Sequence, residues 1–432
     1  MKLLDKIAQR WQDAPQPFLV RCGSALTFDQ LLEAEFVDLS SVRPGDVVAV
    51  VGDFEPRAIG TLLRLVDRSA IIVPLTEETR HEHDYFLDAA QVDAVISGAE
   101  VTRVRSRQAD HPLLEELRAR RHSGLVLFST GTTGRPKAIL HDMTRFLLRY
   151  DTPRPALCTL SFLMFDHIGG INTLLHTLFN RGTVIAPPRR TVASVLETCR
   201  DHRVELLPTT PTFLRMMLMS GMIPDAVPSS LKLITYGTER MDQPTLDQLC
   251  DALPDVDFRQ TFGMSELGIV RVKSESRSSL FMKVGGEGIE TRIVDNVLHI
   301  RSANRMLGYL NAESPFDEDG WYNTKDIVET KGEFIKIVGR DTEAINVGGL
   351  KFMASEVEQA ALKFPGVAHA KAVGRDNPIT GQHVELSVQP KEDVVLDKRA
   401  LGKFLGENLP RHMQPQRLKI GGITVGHRFK RL

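Results

Sequence analysis

Between residues 46 and 97 the chain alternates short apolar runs with longer helical patterns, and few architectures satisfy that order. The runs at 46–52 (DVVAVVG), 70–75 and 92–97 are apolar on both faces, so each needs cover on both sides. Helical patterns at 58–67 and 84–90 separate them. A β-α-β-α-β order of this kind predicts parallel sheet with crossover helices. The pattern resumes after Gly124. A strand at 125–128 runs into a Gly-rich loop, and helices at 171–179, 212–219 and about 244–252 alternate with strands at 183–186, 205–208, 231–236 and 257–261. The style changes near Gly285, where 291–302 (TRIVDNVLHIRS) reads as a hairpin turning at Asp295-Asn296. Another strand follows at 334–338. Residues 340–432 predict a separate small α+β domain, with helices at 355–363 and 398–407 and two strands around Asn377-Pro378. The large α/β domain is expected to span 1–339.

A chain of 432 residues is too long for one small core, which agrees with that division. Lys plus Arg number 54 and Asp plus Glu 55, a formal net charge of −1. That balance gives no footprint for nucleic acid or an anionic membrane, and Arg118 to Arg121 reads as a solvated helix end. The four cysteines, Cys22, Cys158, Cys199 and Cys250, form no CxxC pair and read as reduced thiols. The opening residues are expected to form neither a signal peptide nor a membrane span, and no later tract reads as apolar enough to cross a bilayer. The expected location is cytoplasmic.

The strongest chemical signal is Ser129-Thr-Gly-Thr-Thr-Gly-Arg-Pro-Lys137, directly after a strand. Glycines let backbone N–H groups approach phosphate oxygens, hydroxyls donate further bonds, and Lys137 adds charge. The loop lacks the Gly-Lys-Ser/Thr ending of a Walker A motif. It resembles instead the signature loop of the adenylate-forming superfamily: acyl- and aryl-CoA synthetases, peptide-synthetase adenylation domains and luciferases. The resemblance runs from about Phe18 to the end, though the chain is short for the family between Ile96 and the loop and between Gly268 and Gly285.

The resemblance implies a large N-terminal domain of parallel α/β subdomains plus a small distorted β-barrel, followed by a small mobile α+β lid that binds AMP. It also implies ATP and Mg2+. Ser129, Thr130, Gly131, Thr132, Thr133, Gly134 and Lys137 would hold phosphates. Gln260-Thr-Phe-Gly-Met-Ser-Glu266 resembles the aromatic-Gly-x-Thr-Glu segment. By that resemblance Phe262, with Gly263, lies near adenine, Ser265 meets the α-phosphate and Glu266 holds magnesium, a hard cation suited to carboxylate and phosphate oxygens. Tyr236-Gly237-Thr238, opening Tyr236-Gly-Thr-Glu-Arg240, resembles the second nucleotide loop. Gly320-Trp-Tyr-Asn-Thr-Lys-Asp326 resembles a ribose-binding segment in which Asp326 accepts both hydroxyls and Lys325 stands where the family has glycine. The segment 339–351, with Glu356-Val-Glu358, resembles the hinge: Arg340 would reach the ribose, Thr342 would be the pivot, and Gly348 and Gly349 would admit a pantetheine arm. A swing of the small domain between two half-reactions is the implied conformational step.

The C-terminus departs from the pattern. Aligning Phe-Lys-Arg-Leu432 in register puts Arg428 where the family carries its catalytic lysine. Arginine keeps the charge but not the compact ammonium, so either Arg428 performs the step, Lys430 substitutes, or adenylation is lost. The acyl pocket is marked by Phe165-Asp-His-Ile-Gly-Gly170. His167 fits the CoA-synthetase register, whereas Asp166 mimics the ammonium-binding aspartate of amino-acid adenylation domains; the spacing to Gly182 favours the former, with Gly170 lining the pocket. The leading expectation is a ligase that activates a fatty or aryl acid as acyl-AMP, then passes it to the thiol of CoA or a phosphopantetheinyl acyl carrier protein. A carrier-loading amino-acid adenylation enzyme and a nucleotide- or adenylate-binding protein without turnover are the competing readings.

Overall fold

The computed structural model describes residues 2–33, 37–129, 135–391 and 394–422. Two seven-stranded sheets carry the first two-thirds of the chain. The alternating region forms one of them. Val47–Val51, Ile71–Leu75 and Gly124–Phe128 lie parallel, with Ala94–Ser97 parallel on the far side of Val47–Val51. These strands are buried nearly throughout, as their unbroken Val/Ile/Leu runs require. The sheet is mixed at its flanks. Ala138–Asp142 runs antiparallel to Gly124–Phe128, so the phosphate-type loop joins two neighbouring strands. The second sheet has a parallel centre, Asp257–Gln260, Leu233–Tyr236, Leu206–Thr209, Cys158–Leu160 and Thr183–Ala186, and a short antiparallel hairpin at its edge.

One core joins the two sheets: Phe18, Leu19 and Val184 from one, Val48, Ile72 and Leu125 from the other. The helices Leu3–Trp11, Pro56–Asp67 and Ile168–Phe179 contribute Ile7, Ile59, Leu62, Ile171 and Leu175 to it. The helix Pro211–Met219 is capped by Thr210, and Gln243–Ala252 by Asp242, each side chain accepting a first-turn N–H.

Beyond Gly268 a six-stranded antiparallel sheet forms the half-barrel. Its hairpin Ile289–Val294/Val297–Ser302 turns at Asp295 and Asn296, with φ of 51° and 62°, the two left-handed positions of a type I′ turn. The strand Phe334–Arg340 still belongs to this sheet. After the turn Asp341–Glu343, the strand Ala344–Val347 opens a five-stranded sheet covered by the helices Ala354–Leu362 and Lys398–Asn408. Its core includes Ile345, Val357, Val384, Leu386 and Leu401, so the second unit has its own apolar interior. Among the described residues no helix is long and apolar enough to cross a membrane.

Candidate active site

The phosphate-type loop is pinched at its neck. Ser129 N donates to Lys137 O (3.1 Å), and Lys137 N donates to Ser129 Oγ (3.0 Å). The exit is held by Asn311, whose Oδ1 accepts Ala138 N (2.8 Å), and by Tyr85, whose hydroxyl donates to Pro136 O (2.7 Å). Thr130, Gly131, Thr132, Thr133 and Gly134 lie outside the described residues.

From that neck Lys137 reaches over the ring of Tyr309, Nζ 4.7 Å from the centroid. The Tyr309 hydroxyl donates to Glu266 Oε1 (2.8 Å). Burial, then the neighbouring carboxylate, pushes this phenol far up, so it remains a donor. Two motifs 129 residues apart in sequence thus meet through an aromatic ring that belongs to neither. The backbone of the second motif is fixed from both sides: Met306 N donates to Glu266 O (2.8 Å), and His141 Nε2 donates to Ser265 O (2.6 Å). Burial drags the pKa of His141 down to about 4, so the ring is neutral near pH 7.

Asp326 and Arg340 face each other on paired strands, Arg340 Nε donating to Asp326 Oδ1 (3.1 Å). Asp326 is only 4% exposed, and burial raises its pKa to about 6 against the pull of Arg340. Lys325 takes φ +61°, so the left-handed turn for which the family uses glycine is kept with a lysine in place. Burial first, and then the charge of Glu266, raises the pKa of the Tyr322 phenol, which also feels Arg340 and Asp326.

In the loop that follows Leu233–Tyr236, Thr238 has φ +72°, an uncommon backbone for a β-branched residue, and its buried Oγ1 has no partner among the described residues. Gly237 N donates to Thr209 O (3.4 Å), and Arg240 pairs with Glu358.

The families that match fit this geometry. The model of AMP-binding enzymes matches residues 17–310, and that of the AMP-binding enzyme C-terminal domain matches 356–421. The chain belongs to the AMP-binding enzyme family. Among its relatives, a sulfoacetate–CoA ligase of Cupriavidus necator is 24% identical over 68% of this chain and 63% of that protein. A feruloyl-CoA synthase of an Amycolatopsis species is 23% identical over 92% of this chain and 90% of that protein. A medium/long-chain-fatty-acid–[acyl-carrier-protein] ligase of Mycobacterium tuberculosis is 27% identical over 67% and 60%. The matched span is therefore under two-thirds of the length of the first and third. An anthranilate CoA ligase crystallised with anthranoyl-AMP superposes with a TM-score of 0.83 at 17% identity, over 99% of this chain and 95% of that one, and shares its fold.

In this AMP-binding enzyme two aromatic side chains stand elsewhere than expected. Tyr236 is 1% exposed and packs in the core of its sheet; only its carbonyl faces the loop, accepting Thr261 N (2.7 Å) and Oγ1 (3.1 Å). Phe262 is 7% exposed and packs with Leu267, Val270 and Met282 in the half-barrel core, while Gly263 beside it is exposed. Both residues therefore present backbone rather than a ring face. Asp166 is buried, and His167 caps the helix Ile168–Phe179, its Nδ1 accepting Gly169 N (3.0 Å). A Cβ on Gly170 would lie 1.9 Å from Met164 O, so helix packing alone already demands glycine there. Thr342 is exposed in the turn between the two units, and Gly348 and Gly349 form an exposed two-residue turn with φ of 61° and 88°. Arg428 and Lys430 lie outside the described residues. No group of three or more His, Cys, Asp or Glu suited to a metal occurs among the described residues. Tyr309, His141 and Asn311 were missed from sequence; Gly308-Tyr309-Leu-Asn311 sits between two recognised motifs, which was the available signal.

Proposed function

We propose that this chain uses ATP to activate a fatty or aryl carboxylic acid as acyl-AMP and passes the acyl group to the thiol of CoA or a phosphopantetheinyl carrier protein in the cytoplasm. The observation that carries the proposal is the line Lys137–Tyr309–Glu266, which brings a cation, a phenol donor and a carboxylate to the neck of the phosphate-type loop. Relatives that ligate sulfoacetate, ferulate and fatty acids support the reaction class.

The donor set fits a magnesium nucleotide. A divalent cation would be held by Glu266 together with phosphate oxygens, and would offset their charge. Lys137 attracts the same phosphates. Asp326, with one oxygen on Arg340, would offer the other to ribose hydroxyls, and Thr238 Oγ1, which has no partner among the described residues, would meet the nucleotide or acyl group. The chemistry is then attack of a carboxylate on the α-phosphate, and the protein contributes positioning and charge rather than a nucleophile. In our reading residues 340–432 form the lid, Thr342 is its pivot, and Gly348-Gly349 faces the pantetheine arm.

The test is pyrophosphate release over a panel of fatty, aryl and amino acids with wild type, Arg428→Ala and Arg428→Lys. Release driven by a fatty or aryl acid and lost in Arg428→Ala supports the ligase with Arg428 in the lysine's role. Release driven only by amino acids, and sensitive to Asp166→Ala, moves the substrate class. No release from wild type, restored by Arg428→Lys, replaces the ligase with an adenylate-binding protein.

A further inference from the structure

A cavity of about 250 Å³ adjoins the Ser265–Glu266 backbone, bordered by the helix Pro112–Arg120, the end of the strand Ala138–Asp142 with the turn of helix Met143–Leu147, and the segment 303–307. None of the nucleotide-site residues named above lines it. Two of its lining residues nevertheless hold that site's backbone. His141 Nε2 donates to Ser265 O (2.6 Å), and Met306 N donates to Glu266 O (2.8 Å). The segment 303–307 then leads directly into Gly308–Tyr309, whose phenol donates to Glu266.

The lining is of two kinds. Phe146, Met306 and Leu307 are apolar, and the rest is mostly charged. Its two carboxylates are already committed. Glu116 Oε1 pairs with Arg120 Nη2 (2.5 Å), Asp142 Oδ2 contacts His122 Nδ1 (2.8 Å), and Asp142 Oδ1 accepts Arg145 N (3.0 Å). Against these two stand the guanidinium groups of Arg120, Arg145 and Arg305, while His141 is neutral, so positive charge is in excess. Arg149 adds to that excess, stacked on the Phe146 ring with its guanidinium carbon 4.4 Å from the centroid. Arg145 is the least committed: its Nε lies 3.6 Å from Asp142 Oδ2, beyond hydrogen-bond length, and its guanidinium makes no hydrogen bond among the described residues. Loosely held water over an apolar lining is displaced favourably by an apolar group, and uncommitted arginine favours an anion. A cavity of about 150 Å³ holds benzene, so this one takes a ring with a charged substituent. We propose that the cavity is a second ligand site, for a small organic anion with an apolar body, and that its ligand acts through His141 and Met306 on the nucleotide affinity of the Ser265–Glu266 site.

The probe is benzenesulfonate, which carries the ring and the anion but no carboxylate to activate. Calorimetry at low salt should give a Kd of about 1 mM or tighter. Benzenesulfonamide, the neutral match, and inorganic sulfate, which lacks the ring, should each bind about tenfold more weakly or worse. Arg145→Met removes the least committed charge, and Ala303→Trp fills the rim. Both residues are exposed, so the urea midpoints should stay near that of wild type. Each variant should weaken benzenesulfonate about fivefold or more. Saturating benzenesulfonate should shift the Kd for AMP about fivefold in wild type, and the same concentration should shift it far less in Ala303→Trp. No binding to wild type, or binding that neither variant weakens, overturns the site. Equal affinity for the sulfonamide or for sulfate overturns the ligand class. An unchanged Kd for AMP at saturation overturns the coupling. Every readout is a binding constant, so a carboxylate panel that releases no pyrophosphate would sink the ligase reading and leave this inference standing.

Discussion

At the residue scale, two groups are held in states that the fold alone has no use for. Thr238 keeps a left-handed backbone that glycine would adopt without strain, at a cost of about 1–3 kcal/mol. Thr238→Gly should raise the urea midpoint and weaken nucleotide binding several-fold, because the idle Oγ1 goes with it. A variant that is more stable and binds AMP as tightly as wild type would assign the strain to packing. Asp326 is the second. Its pKa is raised from 3.8 to about 6 by burial, so the folded state binds this proton more tightly than the unfolded chain does. Its contribution to stability is complete below pH 4 and is lost as pH rises through about 6. On the proposed ribose role function runs the other way, since only the carboxylate would accept two ribose hydroxyls. AMP affinity in wild type should therefore fall between pH 7 and pH 5 more steeply than in Asp326→Asn, which shares the ligand's own titration but not this one. Parallel pH profiles in calorimetry would remove Asp326 from the ribose.

At the scale of elements, periodicity read from sequence located the strands 46–52, 70–75 and 183–186 and the helices after 208 and 242 to within a few residues, because each is short, apolar and punctuated by turn residues. The antiparallel strand Ala138–Asp142 was not legible: His141 and Asp142 break its apolar run, yet both are buried with partners on other elements. The site divides in the same way. Charged residues within recognised motifs meet in two groups, Lys137 with Glu266 through Tyr309, and Arg340 with Asp326. The aromatic assignments to Tyr236 and Phe262 did not carry over as side chains, since whether a ring faces a ligand or a core depends on which side of a strand it leaves. Gly170 shows how a motif glycine can serve packing. The helix Ile168–Phe179 begins so close to Met164 that Gly170→Ala must displace backbone, and a loss of roughly 2–4 kcal/mol is expected in urea unfolding. A loss under about 0.5 kcal/mol would mean that the helix start yields freely.

At the scale of the whole molecule, one polar contact between the two folding units joins the loop 236–240 to the second unit. Arg240 Nη2 lies 3.3 Å from Glu358 Oε2, both side chains mostly buried, and the other oxygen of Glu358 accepts Ala372 N (3.1 Å). Glu358 thus ties the helix Ala354–Leu362 both to its own sheet and to the loop that carries Thr238. If the second unit reorients between adenylation and thioester formation, this pair belongs to one orientation and must break for the other. Glu358→Gln keeps an acceptor for Ala372 N and removes the charge, so it weakens the described orientation without unravelling the sheet. A partly buried pair contributes on the order of 1–2 kcal/mol, between the exposed and fully buried limits. The ratio of the two half-reaction rates, pyrophosphate release and thioester formation from preformed acyl-AMP, should therefore shift about 5- to 30-fold. Arg240→Gln should shift it in the same direction, and the double variant should add little to either single change. Equal slowing of both half-reactions, or additive effects in the double variant, would show that the contact braces the fold and does not select between its orientations.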